Sequence, residues 1–271
     1  MQAMNPIGIE RLCLFGMPPV EHVALAAALG CEAVGIGFTP VGSYNPHGYP
    51  GWSLRDDPGL RRRLRRACAD HGVRITLVEG FGVAPGEEIA RFESDLDLAA
   101  ELGGERINVV SMDRDLGRTI AQFAQLTEMA RARGLAVSTE IGPGPVRTLA
   151  TALEVAREVG AGFTLLIDTM HFFRFGSTVA ELAAIDPALI GYVQLCDAPR
   201  EGQGKYMDEA FHERRVPGEG DLPLRALLAL VPDDVVVSLE VPRRSAAEAG
   251  LGPDERVRPC VDAARAMLAE R

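Results

Sequence analysis

The sequence predicts a (β/α)8 TIM barrel, and three observations predict it. Eight short apolar runs alternate with eight longer amphipathic stretches, the order expected of a parallel sheet covered by helices. Each strand–helix pair takes about 33 residues, the usual size of a barrel unit. The first apolar run leads into FGMPPVEH rather than a Gly-rich phosphate turn, which argues against an open doubly wound sheet. The 271 residues therefore read as one barrel domain, 1–271, with 47% hydrophobic content to fill a single core.

The elements follow in order. IERLCLF (9–15) is the first expected strand, with a helix at 18–29 that Gly30 closes. AVGIGF (33–38) precedes a long Gly-, Pro- and aromatic-rich loop at 39–55, and then a helix at 56–71. Asp56-Asp57-Pro58 suits that helix start, with a capping carboxylate and a proline in the first turn. RITLVEGF (74–81), RINVVSM (106–112) and LAVSTEIG (135–142) alternate with helices at 86–102, 117–133 and 146–159. Gly72, Gly103, Gly134 and Gly160 stand where helices end in a left-handed residue. FTLLIDT (163–169), IGYVQLCD (190–197) and DVVVSLEV (234–241) are followed by helices at 178–184, 222–230 and 254–270. A second long loop, 198–221, follows the seventh strand. In a barrel both loops lie over the C-terminal mouth, where long loops cover or line a site.

Charge and cysteine usage narrow the function classes. The 28 Lys+Arg against 38 Asp+Glu give a net charge of −10, which disfavours a nucleic-acid partner. The arginines at 61, 62, 63, 65 and 66 share a helix with Leu60 and Leu64 and read as a solvated face. Five cysteines without a C-x-x-C spacing point to reduced thiols and a cytoplasmic address. No secretory leader is visible, and no stretch is long and apolar enough for a membrane span. The homo-oligomeric state is left open.

The chemistry gathers at strand ends. The fifth strand ends at Glu140, the sixth at Asp168, the seventh presents Gln194 and the eighth ends at Glu240. Carboxylates at the tips of buried strands cost free energy unless compensated. A divalent cation held by all four residues would compensate them. The all-oxygen donor set suits Mn²⁺ or Mg²⁺ better than zinc, with Co²⁺ as a substitute. His171, three residues after Asp168, is placed to shuttle a proton or polarise a substrate oxygen. Arg214, in the segment Arg214-Arg215-Val216-Pro217-Gly218-Glu219-Gly220, can clamp a substrate oxygen from above the mouth. Glu79 and His212 are further candidates for substrate contact. Phe38, Tyr44, Trp52, Phe81 and Phe172 are candidate pocket walls, whereas His22, His47 and His71 read as surface or loop residues.

These residues resemble a known family. TE at 139–140, DTMH at 168–171, VQLCDAP at 193–199, RRVPGEGD at 214–221 and SLEVPR at 238–243 are similar to the xylose-isomerase-like TIM barrels. That group includes sugar isomerases and epimerases, endonuclease IV and metal-dependent dehydratases. The resemblance implies metal ligation by Glu140, Asp168, Gln194 and Glu240, and substrate contact by His171 and Arg214. Many sugar epimerases have His at the place of Gln194. The glutamine form, with QLxDAP and R-x-x-P-G-E-G, looks more like the 3-dehydroshikimate dehydratases, but VPRR at 241–244 departs from their pattern. The three-metal, histidine-rich cluster of endonuclease IV is not matched.

The expected function is a metal-dependent isomerase or epimerase acting on a keto-sugar or other polyhydroxylated small molecule. A proton would leave next to a carbonyl through a metal-stabilised enediolate, with Glu140 and Glu240 taking and returning it. The runner-up is a lyase of the 3-dehydroshikimate dehydratase kind, with His171 as candidate base. A ligand-binding protein on a retired enzyme scaffold is the third reading, and the intact Glu140, Asp168 and Glu240 speak against it.

Overall fold

Eight parallel strands close into a barrel in sequence order, with the last strand pairing with the first. The computed structural model describes residues 5–202 and 204–271. Residues 1–4, and Gln203 within the loop 198–221, lie outside the described residues. The elements run Ile7–Glu10 (β1), Pro19–Ala28 (α1), Ala33–Ile36 (β2), Pro58–His71 (α2), Arg74–Val83 (β3) and Glu93–Glu101 (α3). Arg106–Ser111 (β4), Leu116–Arg131 (α4), Ala136–Glu140 (β5), Leu149–Val159 (α5), Phe163–Asp168 (β6), Thr169–Arg174 (α6) and Val179–Leu182 (α7) follow. The chain closes with Ile190–Leu195 (β7), Tyr206–His212 (α8), Leu224–Leu228 (α9), Val237–Leu239 (β8), Arg244–Glu248 (α10) and Pro253–Ala269 (α11).

The helix α2 shows how local sequence sets an element. The Asp57 side chain accepts a hydrogen bond from the Leu60 N–H at 2.8 Å, and Pro58 opens the first turn. Gly72 ends the helix at φ +68°, which a residue without Cβ adopts freely. Leu60 and Leu64 are buried and Arg62, Arg63, Arg65 and Arg66 are exposed. Full burial of Leu64 contributes about 2 kcal/mol. The main core lies between the strands and the helices, while Ala33, Leu77, Leu166, Tyr192 and Val236 form a second apolar cluster. Among the described residues no helix is long and apolar enough to cross a membrane, and all five cysteines are free.

Three expectations are corrected. The first strand ends at Glu10, and Arg11–Leu14 forms a 3-10 turn. Cys13 and Leu14 are buried in that turn, which is why the run 9–15 reads as strand. The sixth strand ends at Asp168, where its side chain caps the His171 N–H at 3.0 Å and starts an extra short helix, and the expected helix at 178–184 follows as Val179–Leu182. His22 is buried rather than exposed, 2% accessible, with its Nε2 3.0 Å from the Ile9 carbonyl oxygen. Burial pushes the His22 imidazole down to about 4, so the neutral ring donates Nε2–H to that carbonyl.

Candidate active site

Strand periodicity aims the polar side chains inward. Leu166 and Tyr192 belong to one apolar cluster, so Asp168 and Gln194, two residues further along β6 and β7, share their facing. The register pairs Glu140 with Leu166, Asp168 with Gln194, and Gln194 with Ser238. Glu240 follows Ser238 by two, and its N–H continues the ladder to the Leu195 carbonyl at 3.1 Å. The four strand-end residues thus lie on neighbouring strands at the C-terminal mouth, with Asp168 directly opposite Gln194 and the other two offset in register.

Side-chain contacts join Gln194, Glu240, Arg214 and Asp168, and Asp168 connects to His171 and Glu140 through the His171 main-chain N–H. Gln194 Nε2 donates to Glu240 Oε1 at 3.3 Å and to Glu79 Oε1 at 3.5 Å. Arg214 bridges Glu240 Oε2 at 3.2 Å and Asp168 Oδ2 at 2.5 Å. His171 Nε2 lies 3.1 Å from Glu140 Oε1, and one ligand atom each from Glu140, Asp168 and His171 fall within 4.8 Å of one another. A cavity of about 360 Å³ opens above them, lined by Glu79, Asn108, Glu140, His171, Arg214 and Glu240 among others.

The electrostatics are those of an over-acidic pocket. Burial and the neighbouring Asp168 push Glu140 up to about 8. Burial also drives Glu240 well above the usual carboxylate range, with Asp168 and Glu79 adding to it against the pull of Arg214. Burial opposes ionisation of Asp168 too, but Arg214 and His171 outweigh it and hold that carboxyl below its ordinary range. Burial, helped by Arg214 and Arg174, lowers His171 to about 4.

The long loop after β7 supplies the cationic partner. Asp197 Oδ2 accepts from Gly218 N at 2.8 Å, and its Oδ1 accepts from Ala198 N at 2.8 Å and Leu222 N at 3.2 Å. A Cβ on Gly220 would stand 2.2 Å from Asp197 Oδ1, so glycine is required at that turn. Isolated antiparallel bridges join Asp197 to Arg215 and Glu213 to Arg243. Arg214, held between them, is 3% exposed, and its Nε donates to the Ala210 carbonyl at 2.8 Å. It therefore lies among the strand-end carboxylates and not above the mouth.

The other candidates divide. Glu79 joins the cluster through Gln194 and pairs with Arg11 Nε at 2.8 Å. His212 stands apart, lining an outer chamber of about 660 Å³ with Arg11, Tyr44, Phe211 and Arg244. Phe81 lines the inner cavity and Tyr44 the outer one, whereas Phe38 and Phe172 are core and Trp52 donates to the Gly16 carbonyl at 3.0 Å. Sequence reasoning missed Arg11, Asn108 and Tyr206. The Tyr206 hydroxyl meets His171 Nδ1; no strand or helix period marks it. Glu10, also missed, is fully buried below the cluster, where the Tyr192 hydroxyl donates to its Oε1 at 2.9 Å.

Glu140, Asp168 and His171 form a cluster that could hold a metal ion. Glu79, Glu140, Asp168 and Glu240 place four acidic groups against the two guanidinium groups of Arg11 and Arg214. Gln194 Oε1 is buried without a hydrogen-bond partner among the described residues, an acceptor left over for a ligand. Arg214 takes the bridging place between Asp168 and Glu240, so a cation would share or replace its charge there.

Comparisons with known proteins agree with this architecture. Residues 23–265 match the family described as Xylose isomerase-like TIM barrel. The 3-dehydroshikimate dehydratase of Pseudomonas aeruginosa is 30% identical over 238 residues, covering 82% of this chain and 35% of that protein; the chain thus spans about a third of that relative's length. The IOLI protein, solved with a binding zinc atom, superposes with a TM-score of 0.77 at 18% identity, over 98% of each chain. D-psicose 3-epimerase, solved in the presence of D-fructose, gives a TM-score of 0.73 at 15% identity, over 97% of this chain and 99% of its own. At such identities the two structures speak for the fold alone. The family match over most of the barrel is direct, and the chain belongs to the xylose isomerase-like TIM barrel family.

Proposed function

We propose that the chain is a divalent-metal-dependent isomerase or epimerase that removes a proton next to a carbonyl of a keto-sugar or similar polyhydroxylated small molecule. The observation that carries this reading is the strand-end cluster itself, with Glu140 and Glu240 lining one cavity and Asp168 joined to them through His171 and Arg214. Two carboxyl groups facing one cavity suit one to take the proton and the other to return it. Glu140, Asp168, Gln194 and Glu240 would hold Mn²⁺ or Mg²⁺, with Co²⁺ as a substitute, and the cation would supply Lewis acidity toward the substrate carbonyl. Arg214 keeps Asp168 ionised and offers its guanidinium to an oxygen that gains charge. His171 adds a second polar contact, and Glu79, oriented by Arg11, is placed for substrate hydroxyls.

A lyase outcome shares the first step, and the 30% identity to a 3-dehydroshikimate dehydratase favours it. If a leaving hydroxyl lies β to the carbon that loses its proton, the same residues expel water. Incubation with Mn²⁺ and a panel of keto-sugars and dehydroshikimate in D₂O separates the two. Solvent deuterium at the carbon next to the carbonyl, without a new chromophore, supports isomerisation or epimerisation. A conjugated, absorbing product supports elimination, and neither on any substrate removes the proposed chemistry.

A further inference from the structure

The large apolar side chains left most exposed among the described residues, Val110, Met112, Met207 and Phe211, converge on one recess of about 190 Å³ beside Glu140 and His171. Two elements bring them there. Val110 and Met112 lie two apart at the end of β4, above Asn108, so the inward face of that strand turns from polar to apolar as it rises. Met207 and Phe211 lie four apart on α8 and share a face. That helix is fastened: Arg174 pairs with Glu209 at 2.6 Å in a nearly dry contact, and Arg174 Nε donates to the Pro199 carbonyl at 2.9 Å. The loop after β5 closes the third side, packed so tightly that a Cβ on Gly144 would stand 2.4 Å from the Ser111 carbonyl oxygen. Glu140, His171, Val110 and Phe211 also line the inner cavity, so the recess opens onto the proposed reacting centre.

We propose that this recess receives an apolar part of the substrate: a methyl, a methylene or a ring face no larger than a six-membered ring. The inference rests on the proposed function and narrows its substrate class to keto compounds that are deoxygenated or carbocyclic on the side facing α8. Volume decides against a larger occupant, because a dry cavity of about 150 Å³ takes one benzene-sized molecule whereas a helix measures about 10 Å across. Hydrogen bonding decides against a hydroxylated tail. Ser111, the hydroxyl in the wall, is buried and already joined to Thr119 Oγ1 at 2.8 Å and to Asp113 N at 3.1 Å. A substrate hydroxyl pressed against the two methionines and Phe211 gives up water without gaining a partner, whereas an apolar group gains by leaving water. Methionine suits such a wall, because its unbranched thioether adapts to the group it covers.

The test is a ¹³C-methyl spectrum of the full chain labelled at its eight methionines, assigned with Met112→Leu and Met207→Leu and recorded without added metal. The probes are cyclohexanone, a ketone on an apolar ring, and dihydroxyacetone, a ketone flanked by hydroxyls. Cyclohexanone should move the Met112 and Met207 signals while those of the buried Met170 and Met267 stay, and dihydroxyacetone at the same concentration should move neither. Met207→Gln should weaken cyclohexanone binding about fourfold, the worth of one buried methylene. Signals that ignore cyclohexanone, or an affinity unchanged in Met207→Gln, overturn the proposal. Signals that move instead as the protein is concentrated, with a dimer in sedimentation, assign the patch to a second copy and overturn it as well. None of these readings needs turnover, so an inert substrate panel sinks the proposed function while a failed titration sinks only the apolar recess. Where a keto compound is turned over, its deoxy form should show a kcat/KM about tenfold above that of the hydroxylated parent; the reverse order contradicts the proposal.

Discussion

Arg214 is the residue on which the charge balance of the mouth turns. Its guanidinium joins Asp168 to Glu240 at 3% exposure, and breaking a buried pair of this kind costs about 3–5 kcal/mol. Arg214→Met should lower stability to denaturant by about that amount, and added Mn²⁺ should recover part of it. A variant as stable as the wild type, or one indifferent to the ion, contradicts the shared charge. Glu240→Gln should leave the fold intact by circular dichroism and cut turnover more than 100-fold, about 3 kcal/mol of lost transition-state stabilisation; full activity would remove Glu240 from the chemistry. Glu140, Asp168 and Glu240 were legible in sequence because continuous apolar runs lead into them, and Gln194 because it interrupts such a run. The inward reach of Arg214 was not. It depends on the turn that Asp197 ties and on bridges between segments far apart in the chain, and no local pattern encodes those.

At the scale of elements, α1 is fastened to β1 by a histidine that must stay neutral. The His22 pKa falls from 6.5 to about 4 on burial, so the unfolded chain binds the proton more readily. The resulting stability is fully present above pH 6.5 and is lost as pH drops through 4, up to about 3 kcal/mol. Urea denaturation of wild type and His22→Gln between pH 7.5 and 4 should show the wild type's margin over the variant shrinking by that amount; a constant margin contradicts the assignment. Helix α2 was readable from Asp57, Pro58 and Gly72, each acting on its own neighbours. His22 was not, because its partner is a carbonyl on another element. The helix α8 escaped notice for a related reason. Its seven residues are too few for an amphipathic period, and Arg174 and Phe175, which hold it, lie on or beside another helix.

The whole molecule is a barrel of net charge −10 with its candidate site at one end. The barrel itself was legible because strand and helix periods alternate with constant spacing, a property of the full chain that local errors such as the overlong first strand do not disturb. The large apolar side chains left most exposed, Val110, Met112, Met207 and Phe211, all line cavities at the mouth, so the apolar rim and the acidic floor belong to one cleft. Crystals grown with Mn²⁺ and measured at the manganese absorption edge test the metal site most directly. A single anomalous peak with oxygens of Glu140, Asp168, Gln194 and Glu240 at about 2.0–2.3 Å is the expected result. No peak among those four side chains, with Arg214 still joining Asp168 to Glu240 at saturating metal, would contradict it.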